Sequence, residues 1–103
     1  MSDRELLELA AKAAGMRYYY ASYQKHLHIE HQHMADGIHW NPLTDDGDAL
    51  RLAVKLRLTV FEASVLTPDG DAVNVFPGEA PDRYAATRRA IVRAAAEIGR
   101  NMK

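Results

Sequence analysis

Histidine is the residue type best placed to do chemistry in this chain. All five copies fall between residues 26 and 39, at His26, His28, His31, His33 and His39. A His-x-His pair on an extended strand shares one face, a spacing at which two imidazoles can bind zinc or nickel. In an unbroken strand His26 and His28 take one face while His31 and His33 take the other. Only a bulge or turn between the pairs would reunite them. His26, His28, His31 and His33 are therefore candidate metal ligands, weighed against a solvent-facing strand whose polar residues are histidines. Imidazole also titrates near neutrality, so the segment can respond to pH.

Three other groups carry charge or adhesive character. Asp45, Asp46 and Asp48 can attract a hard cation or mimic the negative charge of DNA. Their spacing does not match a calcium-binding loop, and capping of a following helix explains all three. Arg83, Arg88, Arg89, Arg93, Arg100 and Lys103 face only Asp82 and Glu97 within residues 82–103. Arg88, Arg89 and Arg93 are thus candidate phosphate contacts for nucleic acid, unless they simply keep an alanine-rich helix soluble. Tyr18, Tyr19, Tyr20 and Tyr23 form an aromatic run. On a strand with one free face they make a sticky surface, since tyrosine is common at binding hot spots, and the competing reading is sheet packing.

Composition removes several classes. The chain has 103 residues and no Cys, so disulfides, thiolate zinc sites, iron–sulfur clusters and cysteine nucleophiles are excluded. No HExxH pattern, dinucleotide fingerprint or nucleophile–base pair is present, and neither catalysis nor a cofactor is expected. No run reaches the apolar length of a membrane span, and the acidic opening Met1-Ser2-Asp3-Arg4-Glu5 does not suit a secretion signal. A cytoplasmic location and no membrane partner are expected. The net charge of −1 gives no whole-molecule attraction to DNA. Alanine accounts for 17 of the apolar residues, so the core depends on ten Leu, six Val, four Ile and the aromatics. A chain this short with a lean core gains from burying surface in a homodimer.

The elements that must position these groups follow from periodicity. Ser2 and Glu5 form a capping box for a helix over 3–14, closed by Gly15. Residues 17–23 and 25–33 predict two strands, Asp36-Gly37 a hairpin turn, and Ile38-His39-Trp40 a short returning strand. Thr44 is a candidate cap for a helix over 45–57 whose apolar face is Ala49, Leu50, Ala53, Val54 and Leu56. Residues 58–65 and 72–76 predict a hairpin around Pro68-Asp69-Gly70-Asp71. Pro81 suits the first turn of a final helix over 82–100, with Tyr84, Thr87, Ile91, Ala94 and Ile98 on its buried face. The expectation is a single α+β domain over 1–103: three helices and an antiparallel sheet of about four strands, in the order α-β-β-α-β-β-α. The helix at 45–57 separates this order from that of a double-stranded-RNA-binding domain.

The block Trp40-Asn41-Pro42-Leu43-Thr44-Asp45-Asp46-Gly47-Asp48-Ala49-Leu50-Arg51-Leu52-Ala53-Val54-Lys55-Leu56 resembles a family of small proteins encoded by tailed bacteriophages and prophages. The helical stretches at 4–15 and 85–98 extend the likeness to somewhat under half the chain. The resemblance implies a phage accessory origin and transfers no catalytic residue. Between the first helix and the Trp-Asn-Pro block the family diverges, which singles out residues 16–39. The reading is a non-catalytic protein that binds a host or phage macromolecule, with inhibition of a host defence, as by anti-CRISPR proteins, as one form. Tyr18, Tyr20, Tyr23, His26, His28 and Trp40 are the expected contacts with a partner protein.

Overall fold

In the computed structural model the backbone is described for residues 1–21, 26–31 and 34–102, and the side chains for 1–18 and 39–102. Three helices, α1 (Asp3–Ala13), α2 (Asp46–Lys55) and α3 (Arg83–Arg100), combine with six strands. β1 (Tyr18–Ala21), β2 (His26–His31) and β3 (Met34–His39) form one antiparallel sheet. β4 (Thr59–Phe61), β5 (Ser64–Leu66) and β6 (Ala72–Asn74) form a second. The α+β class holds, but two three-stranded sheets replace the expected four strands.

Two local conformations account for the difference. The expected strand over 58–65 is broken by a turn at Glu62-Ala63, where Ala63 adopts the left-handed region at φ 55°. Phe61 then pairs with Ser64, and one strand becomes the hairpin β4–β5. The apolar pattern of 58–65 carries no Gly or Asn to announce that turn. In the first sheet, Asp36-Gly37 lies inside β3 instead of forming a turn. Ile29 pairs with Ile38 and His31 with Met34, so β3 advances four residues while β2 advances two. The surplus lies in β3, where a glycine tolerates a bulge, and adds no residue between His28 and His31.

The helices start where short polar side chains reach back to free amides. The Ser2 hydroxyl accepts from the Glu5 N–H at 3.1 Å and donates to the Glu5 carboxylate at 3.2 Å. Asp45, not Thr44, caps α2 by accepting from the Asp48 N–H at 2.8 Å. A carboxylate serves this position better than a hydroxyl because it also meets the positive helix end. Asp82 caps α3 through the Ala85 N–H, which leaves Pro81 outside the helix.

The alanines explain how the core closes. α1 and α3 pack through Ala10 and Ala11 on one side and Ala95 and Ala96 on the other. Side chains that small let the backbones approach closely. At Gly99 a Cβ would sit 2.0 Å from the Leu9 carbonyl oxygen. The helices run in the same direction: Asp3 meets Arg89 at 3.2 Å near one end, and Lys12 donates to the Met102 carbonyl at 3.1 Å near the other. α3 also covers the second sheet, where Val65 is fully buried, and α2 adds Ala49, Leu52 and Ala53 to the same core. No helix among the described residues is long and apolar enough to cross a membrane.

Candidate docking site

Trp40 and the acidic block that follows it take structural roles. Trp40 is only 4% exposed and belongs to the core beside fully buried Pro42, so its ring offers no contact surface. The Trp-Asn-Pro block is a helix-start device. The Asn41 carboxamide oxygen accepts from the Leu43 N–H, and the Asp48 carboxylate accepts from the Asn41 N–H at 3.0 Å and pairs with Arg51 at 2.7 Å. Asp46 pairs with Arg88 at 2.7 Å. All three acidic residues of the block therefore have structural tasks.

The basic helix is likewise committed. Arg88 donates to the Leu43 carbonyl as well as to Asp46, Arg89 pairs with Asp3, and Arg93 pairs with Glu79 at 2.9 Å. Arg88, Arg89 and Arg93, the expected phosphate contacts, are each paired with a carboxylate from outside α3.

For the tyrosine and histidine segment, Tyr18 is exposed at the start of β1. Tyr20 lies in β1, and His26, His28 and His31 lie in β2, where the register sets His28 opposite His39 and Tyr19. The side chains of Tyr20, His26, His28 and His31 are outside the described residues, as are Tyr23 and His33 entirely. Among the described residues no group of three His, Asp or Glu is arranged to hold a metal.

Among the described residues, exposed apolar surface gathers around the first turns of α3. Tyr84, expected on the buried face, is 66% exposed. On one side of that ridge, a groove of about 360 Å³ runs between the β4–β5 turn and the loop after β6. Its lining includes Ala63, Val75, Phe76, Pro77, Ala80 and Ala86. Phe76 forms the lip at 67% exposed, and the Arg83–Glu62 pair, at 3.3 Å, stands on the rim.

Hydrogen bonds hold this groove in shape. Thr87 Oγ1 accepts from the Ala63 N–H at 2.9 Å and donates to the Arg83 carbonyl at 2.8 Å. The Ala63 carbonyl accepts from the Val75 N–H. The left-handed residue is thus pinned through both its N–H and its carbonyl. Glu79 accepts from the Phe76 N–H at 2.7 Å with one oxygen and from Arg93 with the other. The Arg93 hydrogen bond, followed by that from Phe76, lowers the Glu79 pKa below its ordinary value of 4.5. A charged latch therefore fixes the loop that displays the Phe76 ring.

On the other side of Tyr84 lies a second groove of about 220 Å³, with Leu50, Val60 and Ile91 in its lining. Leu50 and Val54 are 63% and 70% exposed, against the expectation that they face the core. One signal did separate them. At about 100° per residue, Ala49, Ala53 and Leu56 cluster on one side of α2, and Leu50 and Val54 fall well off that stripe. Phe76 carried no such signal, since its exposure depends on a latch from Glu79. Set against protein-family models, curated proteins and solved structures, the chain matches none.

Proposed function

We propose that the chain is a non-catalytic accessory protein of phage or prophage origin that acts by docking on a partner protein. The origin rests on the resemblance of the Trp40–Leu56 block. The mode of action rests on one observation, the preshaped apolar groove with Phe76 at its lip. Aromatic anchors beside small apolar residues are the composition of binding hot spots, and grooves of this kind with polar rims mark interaction sites. A protein partner is favoured over nucleic acid because the groove is apolar and the arginines of α3 are paired. Occlusion of a host defence complex is a concrete form of this activity, requiring neither cofactor nor catalytic group.

Affinity capture from infected host cells tests the reading. The expected result is a specific protein partner captured by the wild type and lost from Phe76→Ala and Ala80→Arg, both of which stay folded. A partner retained by both variants, nucleic acid in its place, or no partner at all would overturn it.

A further inference from the structure

β6 leaves one side of its backbone unpaired. It is an outer strand of its sheet, with only β5 beside it. The Thr67 N–H donates to the Asp71 carbonyl and the Val75 N–H to the Ala63 carbonyl, so Asp71, Val73 and Val75 turn their backbone groups toward β5. Ala72 and Asn74 turn theirs outward. Among the described residues, none of these four N–H and C=O groups has a hydrogen-bond partner. The next outward group, the Phe76 N–H, is taken by Glu79, which ends the open stretch. Beside the edge lies a cleft of about 640 Å³, with Leu6 of α1, Val73 of β6, and Arg93 and Ala96 of α3 in its lining.

We propose that this edge takes an extended peptide from a partner protein, added antiparallel to β6, with an apolar side chain opposite Val73 and a Lys or Arg opposite Asp71. Outward N–H and C=O groups at every second residue are met by another extended backbone, and antiparallel is the more stable sense. Ala72 and Asn74 then each exchange two hydrogen bonds with the incoming strand. Val73 and Asp71 fall at the non-hydrogen-bonded positions, where facing side chains come closest. The side chain opposite Val73 shares its face and meets Leu6 and Ala96 in the cleft. The charge follows from what is left unpaired. Arg93 and Arg100 are bound to Glu79 and Glu97, whereas Asp71 has no ion pair among the described residues. Asp69 and Glu97 stand with Asp71 around an adjoining cleft, so this end of the edge is acidic. In an antiparallel strand the basic residue comes two positions after the apolar one, which gives the pattern apolar-x-basic. A second copy does not supply this match. Two-fold pairings of β6 centred on Ala72, Val73 or Asn74 set Asp71 opposite Val73, Val75 or Pro77 of the partner subunit, none of them a cation.

NMR titration with a capped peptide of alternating threonine and valine around one Val-Thr-Lys step tests the proposal. The Ala72 and Asn74 amide signals should shift and become protected from solvent exchange, with the Phe76 groove undisturbed. A peptide with Glu in place of the Lys should bind more weakly, and Asp71→Lys should reverse that order. Ala72→Pro removes an outward donor at the first residue of β6, where no bond to β5 is lost, and should abolish binding with unchanged far-UV dichroism. Should that variant not fold, N-methylation of the peptide at the residues paired with Ala72 and Asn74 removes its own donors and should abolish binding to the wild type. No shift at those two amides at millimolar peptide overturns the proposal. So does binding that survives backbone methylation, or a charge order that Asp71→Lys leaves unchanged. Edge amides that become protected as protein concentration rises without peptide would mean that a second copy fills the edge, which also overturns it.

Discussion

Thr87 and Glu79 hold the Phe76 groove in shape, and each can be tested alone. Thr87→Val removes the acceptor for the half-buried Ala63 N–H, the hydrogen bond that ties the backbone of the β4–β5 turn to α3. A donor stranded in this way costs about 1–3 kcal/mol. Urea denaturation should show that loss for Thr87→Val, and Thr87→Ser should recover most of it. Glu79 makes a prediction in pH. Its folded pKa is lowered, so its contribution to stability is present above 4.5 and fades as pH falls through the folded value. The wild type should exceed Glu79→Gln in stability at neutral pH, and the gap should close as the pH falls below 4.5 and through the lowered folded pKa. The Phe76 amide should lose its hydrogen-exchange protection over the same range. An undiminished gap in acid would mean that the latch is not electrostatic.

Among the elements, the pairing of α1 with α3 leaves least room for change. A Cβ at Gly99 would meet the Leu9 carbonyl oxygen at 2.0 Å and its carbon at 2.9 Å, and backbone cannot swing aside as a side chain does. Gly99→Ala should therefore destabilise by about 1–3 kcal/mol, although alanine is the better helix former by about 1 kcal/mol. A raised melting temperature for that variant would show that the helices can part at no cost. The three helices were legible because their signals are local: a cap, an apolar period and a terminal glycine or charge. The division of 58–65 was not, because Ala63 takes a left-handed conformation that its own sequence does not favour and that Thr87, far along the chain, enforces. The exposure of Val54 was legible too, since it lies well off the stripe of Ala49, Ala53 and Leu56.

At the scale of the whole molecule, the net charge of −1 conceals a division of labour. Basic groups concentrate in α3 and acidic ones precede it, and folding brings them together at Arg88–Asp46, Arg89–Asp3 and Arg93–Glu79. Surface pairs of this kind contribute little energy individually. They do choose which segments lie against the helix, and two of them hold the loops on either side of the apolar face. The Trp-Asn-Pro block, the most recognisable stretch of the sequence, proves to be a scaffold for the start of α2. The exposed apolar groove at Phe76 comes from residues with no motif at all.

The parallel contact of α1 with α3 also sets an order of events during synthesis. Its two ion and hydrogen-bond ties, Asp3 to Arg89 and Lys12 to Met102, span 86 and 90 positions. The β4–β6 meander and α2 are built from near neighbours and can form early, while the closure of so long a loop comes late. On a ribosome adding about 5–20 residues per second, the alanine face of α1 emerges first and waits on the order of ten seconds for its partner. Through that interval the nascent chain carries an uncovered helix face of Leu6, Leu7, Ala10 and Ala11, whose apolar area is small because half of it is alanine.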